Sequence, residues 1–386
     1  MKLVPIGEVA EPVTTWNPSR KPESEFTYVD LSAVDNMQKR ITGSVAMKGQ
    51  EAPSRARQII QANDVLVSTV RPNLNAVAIV GPELDGATAS TGFSILRPSD
   101  RVDAKYLFHW VRTPDFVLSM VRKATGASYP AVSDRIVKES TIPLPPIDEQ
   151  RRIAAVLDQA DAIRSKHHRV VTHLAALAEA IFMDMFGDPD VAIALGSSVR
   201  FGDVADLQGG RNLVADDQEA ASEFRVLKIS AVTSGQFRAT ESKTLPSDYK
   251  PPYDHVVRQG DLLISRANTS ELVGAVAYVE DVPPNLVLPD KIWRFVWRNP
   301  ESVPLYYRSL FRTASIRRRI SQLSSGTGGS MKNISKAKLV GLELPDVAIR
   351  QQREFARRIS IIPRPKLTEF DELFASLQSR AFSGRL

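Results

Sequence analysis

Histidines and a glycine-rich segment are the residues of this sequence that could support catalysis, and neither forms a catalytic pattern. The five histidines form no HExxH motif, and His167, His168 and His173 follow no common zinc spacing. The segment 324–330, SSGTGGS, lacks the Gly-Lys-Ser/Thr that closes a phosphate-binding Walker motif. No GxSxG nucleophile elbow occurs, and the absence of cysteine removes thiol catalysis, disulfides and Cys-ligated zinc. We therefore predict no catalytic residue, metal or cofactor in this chain.

One further segment resembles a methyltransferase motif without meeting its chemical requirement. Lys250-Pro251-Pro252-Tyr253 is similar to the Asn/Asp-Pro-Pro-Tyr/Phe motif of amino-methyltransferases, whose first residue must accept a hydrogen bond from the target amine. A lysine ammonium cannot accept one. No glycine-rich cofactor loop lies in a suitable strand-to-helix context either. Methyl transfer by this chain is therefore disfavoured.

The composition favours a soluble globular protein of two or more domains. The 386 residues are 43% hydrophobic and 24% charged, and 50 Lys+Arg against 44 Asp+Glu give a net charge of +6. This basic excess is compatible with a polyanionic partner but does not establish one. The N-terminus, MKLVPIGEVA, has no apolar signal region, and no uninterrupted apolar run reaches the length of a membrane span. We expect a cytoplasmic protein without a membrane partner.

A long helical pattern between Pro145 and Gly187 organises the rest of the chain. Its apolar positions alternate in steps of three and four, which is the seam of a coiled coil. Both prolines at 145 and 146 fit only a first helical turn, and Gly187, with Asp188-Pro189 beyond it, ends the helix. A helix of about 35 residues is on the order of 50 Å long, and its seam needs a partner helix. The seam residues are Ile153, Val156, Ala160, Ile163, His167, Val170, Leu174, Leu177 and Ile181.

The segments on either side of this helix are repeats of each other. Residues 1–141 contain short β-like runs separated by Pro, Gly and Asn, followed by two helical patterns that end before Gly126. Asp64–Ser68 matches Asp261–Ser265, and Glu149-Gln150-Arg151 matches Gln351-Gln352-Arg353, at offsets of 197 and 202 residues. Such a slowly drifting offset over several blocks indicates a duplication. The chain is thus predicted to be an α+β module, a helix, a second module and a second helix.

The second helix is predicted to be interrupted. An apolar stripe runs from Phe355 to Ala381, but Pro363 and Pro365 lie within it. An interior proline costs about 3 kcal/mol and removes a backbone hydrogen bond. We therefore expect a kink or break between Ile362 and Lys366, and antiparallel pairing of this segment with the first helix.

With these features, the sequence resembles the specificity subunits of type I restriction-modification systems. The resemblance is carried by Ile142–Ala154, by Met185–Pro189, by Gly260–Arg266 and by the closing Ser383-Gly384-Arg385-Leu386. It implies two tandem repeated α/β target recognition domains, separated by two long helices that form an antiparallel coiled coil. The corresponding boundaries are residues 1–144 and 188–344 for the recognition domains, and 145–187 and 345–386 for the spacer helices.

The same resemblance implies the partners. A non-catalytic subunit of this kind binds double-stranded DNA and docks two modification subunits, which bind S-adenosylmethionine and methylate adenine. Restriction subunits complete the complex and cleave DNA with ATP. The second copy has Pro-Asp-Val-Ala-Ile-Arg-Gln-Gln where the first has Pro-Leu-Pro-Pro-Ile-Asp-Glu-Gln, so the two docking surfaces need not be equivalent.

The expected DNA contacts lie in loops that occur in both copies. Arginine can read guanine, and asparagine can read adenine, each with two hydrogen bonds. Glycine-rich loops let backbone N–H groups approach phosphates, and arginines sharing one helical face would form a phosphate-binding patch with Lys332. The predicted DNA-binding residues are Arg71, Asn73, Asn75, Ser128, Tyr129, Arg266, Asn268, Thr269, Ser330, Lys332, Asn333, Arg308 and Arg312, with Arg319, Lys39 and Arg40 as further candidates.

Each of these residues also has a structural interpretation. The arginines could pair with nearby carboxylates, and the asparagines could hold their turns. The rival function is a non-enzymatic scaffold whose two modules bind protein. A salt titration of DNA binding separates the two functions, because several phosphate contacts make affinity fall steeply with salt.

Overall fold

The structure is a computed structural model that describes residues 2–126, 129–211, 222–326, 332–363, 365 and 367–386. It divides into two compact units. Unit 1 consists of residues 1–171 and 365–386, and unit 2 consists of residues 172–364. The domain boundaries expected at residues 144, 187 and 344 stay predictions.

Unit 1 is built from short strands followed by three short helices. Its strands are β1 (Leu3–Pro5), β2 (Ala10–Glu11), β3 (Glu25–Val29), β4 (Val34–Asp35), β5 (Arg40–Ile41), β6 (Val45–Lys48), β7 (Ala56–Ile59), β8 (Val65–Ser68), β9 (Val77–Ile79), β10 (Thr88–Ser90), β11 (Phe93–Pro98) and β12 (Thr141–Pro143). Its helices include α1 (Ala104–Trp110), α2 (Pro114–Lys123) and α3 (Asp134–Glu139). The 3-10 turns are Ile6–Glu8, Pro18–Arg20, Leu31–Ala33, Gly49–Glu51, Pro72–Leu74 and Pro82–Leu84.

Two four-stranded sheets form the centre of unit 1, in the orders β6-β3-β10-β7 and β2-β11-β8-β9. Successive residues of a strand point to opposite faces. Leu66 of β8 therefore packs in the cluster with Val29 and Phe93, whereas its neighbours Val65 and Val67 pack in the cluster that contains Tyr106 of α1. The second sheet thus has an apolar core on each of its faces, which explains the continuous apolar run in β8.

After α4 (Ile147–Phe186), unit 2 follows the same plan. It contains α5 (Pro189–Ala194), α6 (Phe201–Val204), α7 (Ser230–Thr233), α8 (Pro304–Leu310), α9 (Ala314–Leu323), α10 (Lys336–Val340) and the 3-10 turn Tyr253–His255. Its strands are β13 (Ser198–Arg200), β14 (Ala205–Gly209), β15 (Arg225–Leu227), β16 (Ser242–Thr244), β17 (Leu262–Ser265), β18 (Ala267–Asn268), β19 (Val276–Tyr278), β20 (Leu286–Val287), β21 (Ile292–Trp297), β22 (Lys332–Asn333) and β23 (Glu343–Pro345).

The two units share the strand order of one four-stranded sheet and one parallel strand pair, which confirms the duplication seen in the sequence, although the second sheet has four strands in unit 1 and three in unit 2. The sheet β14-β21-β17-β19 of unit 2 has the strand order of β2-β11-β8-β9 in unit 1. In each unit, one further pair is parallel, β10 with β3 and β15 with β20. The matched segments Asp64–Ser68 and Asp261–Ser265 become the corresponding strands β8 and β17. The α+β class is therefore also confirmed.

The long helix is present, but its buried stripe differs from the predicted seam. Helix α4 is 40 residues long and ends directly before Gly187, whose φ of 68° suits glycine at a helix end. Ile153 is buried, as predicted, but Ile163, Val170 and Leu177 are 55%, 50% and 48% exposed. The neighbouring stripe, one residue later on the helix, faces inward instead: Leu157 and Val171 are buried, and Arg164 and Ala178 are half-buried. The predicted seam was therefore wrong at alternate positions.

The predicted interruption of the C-terminal helical segment is confirmed. Helix α11 (Ile349–Ser360) and helix α12 (Leu367–Phe382) are separated by the stretch that contains Pro363 and Pro365. In unit 1, α12 pairs with α4 in antiparallel fashion, since Arg152 contacts Leu386 and Arg164 contacts Asp371. In unit 2, Phe355 of α11 packs edge-on against Phe182 and Phe186 of α4.

A repeated glutamine joins each spacer helix to its module. Gln150 is 1% exposed, accepts a hydrogen bond from the Asp103 backbone N–H and donates to the carbonyl of Pro145. Its counterpart Gln352 is 3% exposed, accepts from the Val303 N–H and donates to the Val347 carbonyl. A buried amide that satisfies backbone groups on both sides is difficult to replace. This role explains why the glutamine occurs in both copies.

The stretch Ile147–Ala194 meets the length and hydropathy criteria for a membrane span, with a mean hydropathy of 1.4 over an 18-residue window. A single helix of this kind is weak evidence, because other apolar helices pass the same test. Only 11% of that window is buried within the protein. The helix is not a clear membrane span.

Candidate nucleic-acid interface

The loop 71–75 of unit 1, which is predicted to read DNA bases and is called its reading loop below, has an unusual backbone. Arg71 and Asn75 flank the turn Pro72–Leu74, and both have left-handed conformations, with φ of 49° and 47°. Such a conformation costs on the order of 1 kcal/mol or more for a residue other than glycine, and it occurs preferentially at functional sites. The Arg71 N–H donates a hydrogen bond to the Pro130 carbonyl at 2.7 Å. This bond joins the loop to the glycine-rich loop of unit 1, which contains Tyr129.

The side chains of the two loops meet at the surface. The Arg71 guanidinium carbon lies 4.8 Å from the ring centre of Tyr129, which is 68% exposed. Asn73 is also exposed, while Asn75 is half-buried. The structure therefore brings Arg71, Asn73, Asn75 and Tyr129 into one loop cluster, with a cation and an aromatic face open to solvent. Whether they contact DNA stays a prediction.

Lys39 supports this cluster from a third element. It lies between β4 and β5, also with a positive φ, 56°, and its ammonium donates a hydrogen bond to the Asn75 carbonyl. Burial, together with the neighbouring charges of Arg112 and Arg164, lowers the pKa of Lys39 to about 8, although the charge of Asp161 acts in the opposite direction. Lys39 therefore helps to hold the loop in shape, and its further candidacy as a DNA contact stays a prediction.

The corresponding loops of unit 2 are joined by a short antiparallel strand pair. Ala267 of β18 pairs with Asn333 of β22, and Asn268 pairs with Lys332. The Arg266 carbonyl accepts a hydrogen bond from the Ile334 N–H at 2.9 Å. The predicted residues Arg266, Asn268, Thr269, Lys332 and Asn333 therefore lie together.

The polar groups of this second cluster have internal partners. The Arg266 Nε donates to the Asp290 carbonyl at 2.8 Å, and its guanidinium forms an ion pair with the Asp290 carboxylate at 3.2 Å. Asn268 accepts a hydrogen bond from the Thr269 N–H, and Lys332 donates to the Gly326 carbonyl. These contacts are the structural interpretation anticipated above. They orient the side chains, and their DNA contacts stay predictions.

The arginines expected to share one helical face do not do so. Helix α8 ends at Leu310, and the Thr313 side chain caps a new helix, α9, so Arg308 and Arg319 lie on different helices. Arg308 and Arg312 both donate to the Gly235 carbonyl, at 3.3 and 3.2 Å, while Arg319 pairs with Asp190 at 2.6 Å. The continuous basic face was therefore a wrong expectation, because the helix break redirects the side chains.

The glycine-rich loops close in the same way in both units. Thr125 and Ala131 exchange backbone hydrogen bonds of 3.0 and 2.9 Å, and Ser325 and Asn333 do so at 2.9 Å. The predicted contacts Ser128 and Ser330 lie within these loops but outside the described residues. Among the described residues, no cluster of His, Asp and Glu could hold a metal ion.

Unit 1 contains a buried charged network between its helices that was not expected from the sequence. The fully buried His109 lies 2.8 Å from Asp158, and Arg112, with a side chain 3% exposed, lies 2.8 Å from Asp161. Burial lowers the pKa of His109, which favours its neutral form. The only sequence signal was the pair of aspartates one helical turn apart, which is common on exposed helices.

Comparison with known proteins agrees with this geometry. Residues 6–171 match the family model for the type I restriction modification DNA specificity domain. The MjaVIII specificity subunit of Methanocaldococcus jannaschii is 22% identical over 320 residues, covering 79% of this chain and 73% of that protein. The EcoKI specificity subunit of Escherichia coli is 22% identical over 317 residues, covering 76% of this chain and 68% of that protein.

Solved structures show the same fold over the whole chain. One, from a study of complex assembly and conformational transition of the type I R-M system, is 25% identical with a TM-score of 0.51, covering 100% of this chain and 98% of that one. The S subunit of a type I system from M. genitalium has a TM-score of 0.51 at 13% identity, covering 99% of this chain and 94% of that one, and supports the fold alone.

The match of residues 6–171 to a DNA specificity domain favours DNA recognition over a protein-binding scaffold. Residues 6–171 thus match a type I restriction modification DNA specificity domain, and the relatives and the whole-chain structural neighbour support a specificity subunit of a type I restriction-modification system. Its modules are DNA recognition domains, and the family functions in complexes with other restriction-modification subunits.

Proposed function

We propose that this chain selects a bipartite DNA target, with each unit reading one half and the paired helices setting the number of base pairs between them. The main support is that β8 and β17, which are equivalent strands, each lead into a loop with arginine and asparagine. Those side chains suit base readout in the major groove. A helical spacer converts its length into a fixed distance between half-sites.

The direct base contacts in this proposal come from the two loop clusters. Arg71, Asn73 and Tyr129 serve unit 1, whereas Arg266, Asn268 and Thr269 serve unit 2. Lys332, Asn333 and the loops with Ser128 and Ser330 contact phosphates. Arg308 and Arg312 remain phosphate candidates, although their hydrogen bonds to the Gly235 carbonyl restrict them.

The partners in this proposal are two modification subunits, with restriction subunits completing the complex. The exposed apolar residues of α4 support helix docking, because Ile163, Val170 and Leu177 recur every seven residues. A heptad repeat left in water is the seam of an additional coiled-coil contact. The chain itself is non-catalytic and cytoplasmic, and S-adenosylmethionine binds to the modification subunits, which methylate adenine.

The decisive experiment maps methylated adenines in host DNA with and without this chain. Methylation at a split motif, present only with the chain, is expected, and its absence would contradict the proposal.

A second experiment, with a lengthened helix, tests the spacer role directly. Inserting one heptad into α4, with a matching heptad in the C-terminal helical segment, lengthens the helix by about 10 Å. At about 3.4 Å per base pair, the gap in the motif should grow by about three base pairs while both half-sites stay the same. The control replaces seven exposed helix residues without changing the length and should leave the gap unaltered. An unchanged gap in the insertion variant would refute a spacer role.

A further inference from the structure

Helices α2 and α9 are equivalent elements that differ on their outer faces. Each is capped by a threonine, Thr113 or Thr313, whose hydroxyl accepts a hydrogen bond from the N–H three residues later. Each also buries its inner residues, Phe116 and Met120 in α2 and Ile316 and Ile320 in α9. The two helices correspond residue by residue at an offset of 200. Their outer faces can therefore be compared position by position.

In unit 2, the short helix α5 covers the outer face of α9. Asp190 of α5 forms ion pairs with Arg318 at 3.2 Å and with Arg319 at 2.6 Å. Asp188, which caps α5, accepts a hydrogen bond from the Ser315 hydroxyl. An acidic, partly apolar segment therefore occupies this face in one copy of the duplicated fold.

In unit 1, the corresponding face of α2 is open. The counterparts of Ser315, Arg318 and Arg319 are Asp115, Leu118 and Ser119, and with Arg122 and Lys123 they line a shallow depression. Leu118 is 52% exposed and Val121 is 40% exposed. Two apolar side chains beside two exposed cations form a surface that a protein can bind.

We propose that this outer face of α2 docks a short acidic amphipathic helix of a modification subunit, in the manner in which α5 covers α9. In unit 2 a short helix with carboxylates covers this face and pairs with Arg318 and Arg319; the cations of α2, Arg122 and Lys123, lie one helical turn further along, so the carboxylate of the partner must lie there too. Arg122 and Lys123 attract such a carboxylate, and Leu118 and Val121 provide the apolar contact. DNA is a poorer occupant, because the exposed apolar side chains of Leu118 and Val121 offer nothing that binds a phosphate. The identity of the partner rests on the proposed function.

The first test is hydroxyl-radical oxidation of the purified complex of this chain with its modification subunits. Leu195 is an internal reference, since it is 82% exposed against 52% for Leu118. If the helix docks, the oxidation of Leu118 divided by that of Leu195 in the complex should be well below the ratio of their exposed fractions, 52% to 82%. Oxidation at or above that ratio would overturn the proposal, as would protection of Leu118 that requires target DNA rather than the subunit.

The second test measures affinity for the modification subunit. The variant Leu118→Glu/Val121→Glu should weaken subunit binding by about tenfold or more, because it places carboxylates on an apolar contact that faces an acidic partner. The variant Arg122→Glu should weaken it as well, whereas Arg122→Lys and the control Leu195→Glu should not. Equal affinity for all variants, or no binding by the unaltered chain, would overturn the proposal. Normal motif selection with an unprotected Leu118 would reject this docking site and leave the proposed function standing.

Discussion

The substitution Asp161→Asn should strongly destabilise unit 1. The Asp161 carboxylate lies 2.8 Å from Arg112 and 2.7 Å from Arg164, and it also acts on the charge of Lys39. Burial opposes its ionisation, but the hydrogen bond from Arg112 and the nearby cations lower the pKa of Asp161 overall. An asparagine would leave three cations around a neutral amide, one of them the almost fully buried Arg112.

The magnitude follows from that burial. Removing one partner of a buried ion pair costs about 3–5 kcal/mol, a large fraction of the roughly 5–15 kcal/mol that stabilises a typical domain. At a slope of about 2 kcal/mol per molar urea, the unfolding midpoint of unit 1 should fall by about 1.5–2.5 M. Unit 2 should unfold as before, because the network lies within unit 1.

The assay is urea denaturation of the full chain, with hydrogen exchange assigning each transition to its unit. Glu149→Gln is the matched control, because it removes the same charge from the same helix at an exposed pair with Arg152, and it should leave the midpoint unchanged. The double variant Asp161→Asn/Arg112→Met should recover part of the loss, since it removes both charges of the buried pair. If Asp161→Asn shifts the midpoint no more than Glu149→Gln, the network does not stabilise unit 1.

Two further predictions concern the reading loops. Arg71→Ala should lower DNA affinity by about 1–3 kcal/mol and relax base choice in one half-site only. Arg266→Ala should have the same effect in the other half-site. Fluorescence anisotropy with single-base variants of the target DNA measures both effects, and an unaltered affinity would exclude that arginine from the interface. Lys39 has a pKa of about 8 in the folded chain against an ordinary 10.5, so between these values the unfolded chain binds more protons. The stability of unit 1 should therefore rise with pH across that window, and Lys39→Met should remove this rise. Equal pH profiles of stability for the two proteins would show that folding does not lower the pKa of Lys39.

Signals between near neighbours in the sequence were enough to predict the long helices and the duplication. Pro145, Pro146 and Gly187 act within one turn of helix, so the ends of α4 could be read from neighbouring residues. The break between α11 and α12 follows equally from Pro363 and Pro365. The duplicated topology followed from repeated segments, because similar sequences bury similar strands. The partner class followed from the resemblance of the whole chain to a family.

Contacts between residues far apart in the sequence could not be predicted and depend on the packing of the folded chain. On α4 the stripe with Ile163 and Val170 is the more apolar in sequence, yet the packing partner selects the neighbouring stripe with Leu157, Arg164 and Val171 for burial, because Arg164 pairs with Asp371 of α12. Lys39 reaches the carbonyl of Asn75, and Arg308 and Arg312 reach Gly235, across more than thirty and more than seventy residues respectively. Contacts at such separations depend on how strands and helices pack, and no local pattern encodes them.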